Sequence, residues 1–235
     1  MFARMTKAQE FVVTKANALI QSSYKLTLNE QRIVLACVAQ LDGRKVLLRD
    51  NLFTVTAVDY AETYGVDRKN AYSELEEAAT TLGERWIRTH DGKTKTKFRW
   101  VYFVQYSAGE GKVTLGFSPS VAPYLTMLNK RFTSYELKNI AELRSSYSIR
   151  LYEFLMQFKK TGHFAVPLDD FKGWLELDDA YPRFVDLKRR VIDPAVRELQ
   201  AKSNLLIEWR AVRKGKAVDR LEFTFSENPQ EQLAL

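Results

Sequence analysis

The sequence predicts an α+β fold made of two tandem domains that are related by internal duplication. The chain has 235 residues, of which 46% are hydrophobic, and this is enough for two domains that each bury a core. Short strand-like runs alternate with helical periodicities in both halves of the chain. A shift of the first half by 111 residues aligns Phe53 with Phe164 and Val55 with Val166. The two halves therefore share one order of elements.

The first domain is expected at residues 14–129, after a flexible arm at residues 1–13. Thr27 and Glu30 have the spacing of a capping box, which predicts that a helix begins there. Residues 44–52 fit either a loop or a short strand. The other predicted elements are a short helix at 14–21, a strand at 53–55, helices at 57–64 and 68–84, strands at 86–89, 98–106 and 112–117, and a short helix at 118–128.

The second domain is expected at residues 130–226, and a polar tail at residues 227–235 is expected to be disordered. Its predicted elements are helices at 135–143, 146–160, 168–177 and 181–199, with strands at 164–166, 205–213 and 217–225. Both halves thus run helix, strand, helix, helix and β-hairpin. This is the order of a winged helix, a helix-turn-helix with an appended hairpin, so the sequence predicts two tandem winged-helix domains.

The helix predicted at residues 181–199 has one apolar side and one arginine side. At about 100° per residue, the apolar arc holds Phe184, Leu187, Val191, Ala195 and Leu199. The other side holds Arg183, Arg189, Arg190 and Arg197. Such a helix packs on a core and presents guanidinium groups to an anion. The alternative is a charged face that only meets solvent.

Positive charge is concentrated in two segments of the chain. Residues 85–112 carry seven Lys and Arg against two acidic residues, and residues 183–220 carry eleven against five. The net charge of the whole chain is +7, so the remainder is acidic on balance. The two segments fall on the hairpin of the first copy and on the helix and hairpin of the second. A winged helix meets DNA at those places, and we therefore expect binding to double-stranded DNA.

The candidate DNA contacts divide between the two domains. In the second domain they are Arg183, Arg189, Arg190 and Arg197 of the helix and Arg213, Lys214 and Lys216 of the hairpin. In the first domain they are Arg68, Lys69, Asn70 and Ser73 at a helix start and Lys93, Lys95, Lys97 and Arg99 of the hairpin.

The helix at 68–84 is otherwise acidic, with Glu74, Glu76, Glu77 and Glu84. These carboxylates would repel phosphate, whereas arginine can bind guanine through two hydrogen bonds. We therefore predict that the second domain supplies most of the base reading and that the first is freer to hold a protein partner. The alternative is that the glutamates only keep the helix soluble.

Pro194 lies inside the predicted arginine helix. It lacks the N–H that would bond to the carbonyl of Arg190, so the sequence predicts a kink. We expect the half of the helix up to Ile192 to enter the DNA groove, and the second half to follow the core.

Enzyme classes are disfavoured by the sequence. The two histidines, His90 and His163, are isolated, which speaks against a metal pair and against a rolling-circle nickase. No GxxxxGK[ST] phosphate loop is present. The adjacent carboxylates at 169–170 and 178–179 fit a magnesium site, but helix capping and solubility explain them better. We expect no catalytic activity, no metal and no cofactor.

The remaining composition indicates a soluble intracellular protein. The single cysteine, Cys37, lies in an apolar run and is expected to be a buried thiol in a reducing compartment. No apolar run approaches the length of a membrane span, so we expect no membrane partner.

Three blocks, LTLNEQRIVL (26–35), YSIRLYEFL (147–155) and LKRRVIDPAVREL (187–199), resemble the replication initiator proteins of iteron-bearing, theta-replicating plasmids. The resemblance covers about residues 13–225. It implies that monomers bind directly repeated origin sites, the iterons, and recruit the host replication initiator and replicative helicase. It also implies that homodimers, formed through the N-terminal domain, bind an inverted repeat at the operator, repress their own promoter and so take part in plasmid copy control.

The same resemblance implies roles for individual residues. Arg189 and Arg190 would be recognition-helix contacts, and Arg150 in the second block would contact the DNA backbone. An ion pair with a nearby acid such as Glu153 is the alternative for Arg150. Two other functions stay open for the chain: a tandem winged-helix transcription regulator without a replication role, and a winged-helix module that binds only proteins. Short direct repeats beside the gene would favour replication.

Overall fold

The computed structural model describes residues 11–48, 51–90, 92–129 and 131–228, and it forms two compact units. The first unit ends at Glu142 and the second begins at Leu143, later than the boundary expected between residues 129 and 130.

The pairing of two strands, β1 and β7, explains why the boundary between the units lies later than expected. Strand β1 (Val12–Ala16) pairs antiparallel with β7 (Phe132–Glu136), which therefore belongs to the first unit. Part of the segment expected to be a flexible arm is thus a strand, while residues 1–10 lie outside the described residues. The tail expected at 227–235 begins within the last strand, and residues 229–235 also lie outside the described part.

The helices of the first unit begin at the predicted caps. In α2 (Leu28–Val38) the capping box is confirmed, because the Thr27 amide donates to the Glu30 carboxylate at 2.7 Å and the Glu30 amide donates to the Thr27 hydroxyl at 3.3 Å. Helices α3 (Ala57–Tyr64) and α4 (Arg68–Leu82) also match their predictions. Helix α1 (Asn17–Ile20) is shorter than predicted, because β1 takes the residues before it.

The strands of the first unit form two separate sheets besides the β1–β7 pair. Strands β2 (Phe53–Thr56), β5 (Val101–Ser107) and β6 (Lys112–Phe117) form an antiparallel sheet in the order β2-β6-β5. Strands β3 (Trp86–His90) and β4 (Lys95–Arg99) form their own hairpin. The strand predicted at 98–106 is therefore two strands, one on either side of the fully buried Trp100.

The second unit has the same plan as the first. Helix α6 (Ser146–Met156) begins after Ser145 and is followed by α7 (Leu168–Trp174). Its sheet has the order β8-β10-β9, formed by β8 (His163–Pro167), β9 (Leu205–Lys214) and β10 (Ala217–Glu227). In both units the second strand of a hairpin lies at the centre and the strand between the first helices lies at an edge. The prediction of two winged-helix domains is confirmed.

Two predicted helices were wrong. Residues 118–128 contain only a 3₁₀ turn at Ala122–Tyr124, and residues 135–143 contain the end of β7 and the short helix α5 (Lys138–Ala141). In β7, Thr133 and Tyr135 are buried while Phe132 and Ser134 are exposed, which is the alternation of a strand. The pairing partner β1 is too distant in the sequence for a local pattern to reveal.

The helix predicted at 181–199 is interrupted by a π-helical turn. It consists of α8 (Phe184–Leu187), the π turn (Lys188–Ile192) and α9 (Asp193–Lys202). The Asp193 amide donates to the Lys188 carbonyl, which is the five-residue spacing of a π turn. Pro194 then lies in the first turn of α9, where its missing N–H is tolerated. The interruption that the sequence predicts at this proline thus takes the form of a π turn; which half enters a DNA groove stays a prediction.

Candidate DNA interface

The helix arginines of the second unit form an exposed cationic surface. Arg183, Arg189, Arg190 and Arg197 are all exposed, as expected from the sequence. Asp186 lies among them and accepts from Arg183 Nε at 2.7 Å and from Arg189 Nη2 at 3.3 Å. The hydrogen bond from Arg183, together with the charges of Arg189 and Arg190, lowers the pKa of the Asp186 carboxyl below its ordinary value.

A surface hollow of about 430 Å³ lies beside this helix. It is lined by Arg189, Asp193, Val196, Arg197 and Trp209. Lys188 Nζ is 5.0 Å from the centroid of the Trp209 ring and within 2.8 Å of both Asp193 carboxylate oxygens. Arg197 Nε donates to the Asp193 carbonyl at 3.3 Å. The hollow therefore has an aromatic wall and a cationic rim, which suits the edge of a base beside a phosphate.

The hairpin tip of the second unit carries the other predicted cations. Arg213, Lys214 and Lys216 are exposed at the β9–β10 turn, where Gly215 has a φ of 63°. Arg213 Nη1 donates to the Lys216 carbonyl at 2.8 Å, which fixes that guanidinium at the tip. The helix surface and the wing of one winged helix thus both offer positive charge.

The start of α4 presents the predicted polar residues of the first unit. Arg68, Lys69, Asn70 and Ser73 are exposed there, after the Asp67 carboxylate that accepts from the Lys69 amide at 2.8 Å. Arg68 Nη2 is 3.2 Å from a Glu62 carboxylate oxygen. The positive end of the helix dipole adds to the attraction for an anion at this end.

The β3–β4 hairpin of the first unit has one buried and one cationic face. Ile87 and Phe98 are buried on one side. The cross-strand pairs on the other side are Trp86 with Arg99, Arg88 with Lys97, and His90 with Lys95. Among these pairs, Arg88 and Lys97 set like charges directly opposite each other, which is unfavourable in a hairpin.

An aromatic side chain partly stabilises this crowded face. Lys97 Nζ and Arg99 Cζ lie 4.1 Å and 4.2 Å from the centroid of the Trp86 ring. Arg99 Nη1 also donates to the Gly83 carbonyl at 2.7 Å and pairs with Glu84. Lys93 is exposed at the turn. The predicted cations Lys93, Lys95, Lys97 and Arg99 are therefore brought together on one element.

The expectation that this basic hairpin is the counterpart of the second-unit wing was wrong. The counterpart of β9–β10 in the sheet order is β5–β6, whose turn contains Glu110, paired with Lys112. The β3–β4 hairpin is an additional element between α4 and the sheet. A sequence pattern shows two basic hairpins, but only strand pairing shows which of them completes the winged helix.

Arg150 does not lie on the surface, so the expected contact with the DNA backbone is corrected. It is 3% exposed, its Nη1 is 3.7 Å from a Glu153 carboxylate oxygen, and its Nη2 donates to the Trp174 carbonyl at 3.2 Å. The alternative of an ion pair with Glu153 is confirmed. Arg32 of α2 has the same position relative to its helix cap and is also buried, 5.0 Å from the Tyr64 ring centroid.

Sequence reasoning missed several residues of these surfaces. The Trp86 and Trp209 rings contact cations on the two units, Arg88 extends the cationic face of the hairpin, and His90 lies at the end of that face. Alternation at positions 86, 88 and 90 and at 95, 97 and 99 is a signal that was present in the sequence. The contact between Lys188 and Trp209 had no such signal, because it joins a helix to a strand.

The described residues contain neither a cluster of metal-ligating side chains nor a membrane-spanning helix. No group of three or more His, Cys, Asp and Glu side chains in that part of the chain is placed to hold a metal ion. Within the same residues, no helix combines the length and the apolar character needed to cross a bilayer.

Comparison with known proteins gives consistent results in both units. The family model described as "Initiator Replication protein, WH1" matches residues 12–156, and "Initiator Rep protein, WH2" matches residues 167–225. A "Replication initiation protein" of Escherichia coli is 32% identical over 223 residues, which cover 91% of this chain and 69% of that protein. The "PI protein" of Escherichia coli is 24% identical over 245 residues, covering 89% of this chain and 80% of that protein.

A solved structure shares the fold over most of the chain. The crystal structure of the Pi initiator protein in complex with iteron DNA matches with a TM-score of 0.79 and 23% identity, covering 93% of this chain and 98% of that one. Two tandem winged helices, matched in order by both family models, identify the chain as a member of the initiator replication protein family.

Proposed function

We propose that this protein is a plasmid replication initiator that binds double-stranded DNA sequence-specifically at directly repeated origin sites. The observation that carries the proposal is the exposed arginine surface of α8, the π turn and α9, together with the exposed basic wing of the same unit. Membership of the family and the fold of an initiator bound to iteron DNA support the same function.

The second unit is proposed to read bases and the first to contact mainly the DNA backbone. Arg189 and Arg190 have side chains that can form paired hydrogen bonds with guanine. In the first unit the start of α4 and the β3–β4 hairpin offer cations, whereas Glu76 and Glu77 are exposed along α4 and Glu84 is exposed just after it. Lysine and arginine side chains that do not reach the base edges attract DNA phosphates irrespective of the base sequence.

The test is DNA binding by the double variant Arg189→Ala plus Arg190→Ala. We expect the affinity for an origin repeat to fall about 10- to 100-fold, from the loss of one or two base contacts. The slope of log affinity against log salt should fall by about 1 for each phosphate contact that is lost. Fluorescence anisotropy at several salt concentrations measures both quantities.

A matched control removes two charges from the other end of the same unit. Lys159 pairs with Glu227 at 2.7 Å, at the end of β10 that is roughly 30 Å of strand away from the wing tip. The variant Lys159→Ala plus Lys160→Ala should therefore leave affinity and salt slope near the wild type. Unchanged binding by the Arg189 and Arg190 variant would refute the proposed role of this helix.

We also propose that a homodimer forms through the first unit and represses the protein's own promoter. Support comes from β5, an edge strand with the sequence VYFVQYS, which has no charged residue and no proline. Natural edge strands usually carry such residues to prevent pairing with another chain. A second copy related by a twofold axis could extend the sheet through this edge.

Light scattering after size-exclusion chromatography tests this dimer. Gln105→Lys places a charge on the exposed middle of β5, where a twofold axis would set it against its own copy. We expect the variant to be monomeric at concentrations where the wild type dimerises, and to bind a single repeat as before. A dimer of unchanged stability would place the interface elsewhere.

The host replication initiator and the replicative helicase are the proposed protein partners, in the bacterial cytoplasm. The exposed acidic side of α4 is the surface proposed for them, because its glutamates do not suit DNA. Pull-down of purified host initiator by the wild type, compared with Glu76→Lys plus Glu77→Lys, tests this assignment. Equal recovery by both proteins would exclude α4 as the docking surface.

A further inference from the structure

Asp186 is a carboxylate in the middle of the surface that we propose to read DNA. Its side chain is 16% exposed, while those of Arg183 and Arg189 beside it are 75% and 68% exposed. A negative charge at this place repels every phosphate that approaches the arginines. Solubility does not require it, because the surface is already highly charged. A carboxylate at this place therefore has to offset the repulsion of phosphate by some other effect on DNA binding.

The hydrogen bonds of Asp186 hold two arginine side chains of this surface. One carboxylate oxygen, Oδ2, accepts from Arg183 Nε at 2.7 Å, and the other, Oδ1, accepts from Arg189 Nη2 at 3.3 Å. Each oxygen thus holds a different guanidinium. Long arginine side chains otherwise lose much rotational freedom when they bind, and holding them in advance reduces this loss.

The backbone of Arg189 is held at the same time by the π turn. Lys188 and Asp193 are five residues apart, and their side chains pair at 2.6 Å. Residues with this spacing lie about 140° apart on an α-helix but close together on a π turn. The ion pair is therefore compatible with the π turn and not with a regular helix, and Trp209 contacts the Lys188 ammonium from the sheet side. Arg189 thus lies within the π turn that the Lys188–Asp193 pair accompanies, and its guanidinium donates to Asp186.

We propose that Asp186 is a positioning residue that sets DNA specificity by holding Arg183 and Arg189 in the orientation that reads base edges. The inference rests on the proposed function, since it presupposes that Arg189 reads DNA. A carboxylate that only repelled phosphate would weaken the binding of every DNA sequence alike. Loss of the carboxylate should weaken binding to the specific site and strengthen binding to unrelated DNA.

The test uses Asp186→Asn in the full chain and two duplexes of equal length. One duplex is selected by the wild-type protein from a randomised pool, and the other is taken from the unselected pool. We expect about tenfold weaker binding of the selected duplex, the cost of ordering two free arginines. Binding of the unselected duplex should become about twofold tighter, because one repulsive charge is gone.

Two further variants separate positioning from other effects. Asp219→Asn removes a carboxylate that is 3.6 Å from Arg220 and holds no helix arginine, so it should tighten both duplexes equally. Asp186→Glu keeps the carboxylate and should restore most of the selectivity. Asp186→Asn should lower the unfolding temperature only slightly, because ion pairs with exposed arginines contribute little to stability. The other two variants should unfold like the wild type.

The outcomes are distinct. If Asp186→Asn tightened both duplexes to the same extent, Asp186 would be only a repulsive charge and the inference would be overturned. Equal weakening of both, with a lower unfolding temperature, would assign it a role in folding and would also overturn the inference. If the wild type itself bound both duplexes equally, the proposed function would fail first, and the inference with it.

Discussion

Replacement of Glu30 by alanine should strongly destabilise the first unit. The Glu30 side chain is fully buried and joins three elements. It accepts from the Thr27 amide at 2.7 Å, from Arg85 Nε at 2.8 Å and 2.9 Å, and from the Thr81 hydroxyl. The carboxylate therefore completes the cap of α2 and ties that helix to the end of α4 and to the segment before β3.

The size of the effect follows from these contacts. Loss of the capping interaction costs about 1 kcal/mol. The larger part comes from Arg85, which is only 33% exposed and would be left without this carboxylate. Breaking a buried ion pair by removal of one partner costs about 3–5 kcal/mol in total, and we expect Glu30→Ala to lie in that range.

Urea denaturation, followed by the tryptophan fluorescence of the first unit, measures the change. Glu84→Ala is the matched control, since Glu84 is 78% exposed and pairs with Arg99 at 2.6 Å. An exposed pair of this kind contributes about 0–1 kcal/mol. If Glu30→Ala cost no more than Glu84→Ala, the burial of the Glu30 contacts would not matter and the reasoning would be refuted.

Four further predictions concern single residues. Arg150→Ala should destabilise the second unit by about 3–5 kcal/mol, because it breaks a buried ion pair with Glu153 and a hydrogen bond to the Trp174 carbonyl, and should leave the salt slope of DNA binding unchanged. Gly111→Ala should lower the unfolding temperature, because Gly111 has a φ of 55° and an added methyl group would meet the Tyr72 ring. Burial raises the pKa of the Cys37 thiol, so this thiol should react with a thiol reagent only in denaturant. Folding lowers the pKa of the Asp186 carboxyl below its ordinary value of 3.8. The ionised carboxylate therefore stabilises the fold fully above pH 3.8, and this stabilisation is lost as the pH falls through the lower pKa of the folded state. A carbon NMR titration of Asp186 should have its midpoint below pH 3.8.

Local patterns predicted many elements correctly because local physics forms them. The Thr27 capping box, the Thr56 cap and the start of α4 after Asp67 depend on side chains within three residues of the backbone they bind. The β9–β10 hairpin is joined by a short turn, and its strands alternate in burial. These signals needed no knowledge of the rest of the fold.

The exposed cations of the candidate surfaces were also predicted from local patterns. Exposed arginines and lysines on a helix or a hairpin can be recognised from periodicity, and all the expected cations except Arg150 lie at the surface or half-buried at its edge. The prediction for Arg150 was wrong because its burial and its hydrogen bond to the Trp174 carbonyl depend on how α6 packs against the end of α7, which a local pattern does not show. Whether these surfaces contact DNA stays a prediction.

The number of domains, their winged-helix order and the concentration of cations on particular elements all follow from the amino-acid sequence. Capping and periodicity depend on neighbouring residues, and the internal duplication can be read from the aligned letters. Tertiary structure decided which hairpin completes the first winged helix, that β1 and β7 pair, and that Arg150 is buried. It also decided the π turn that places Lys188 over Trp209. These features depend on hydrogen bonds and contacts between segments far apart in the chain, and a local pattern carries no information on which distant partner a strand or a side chain will meet.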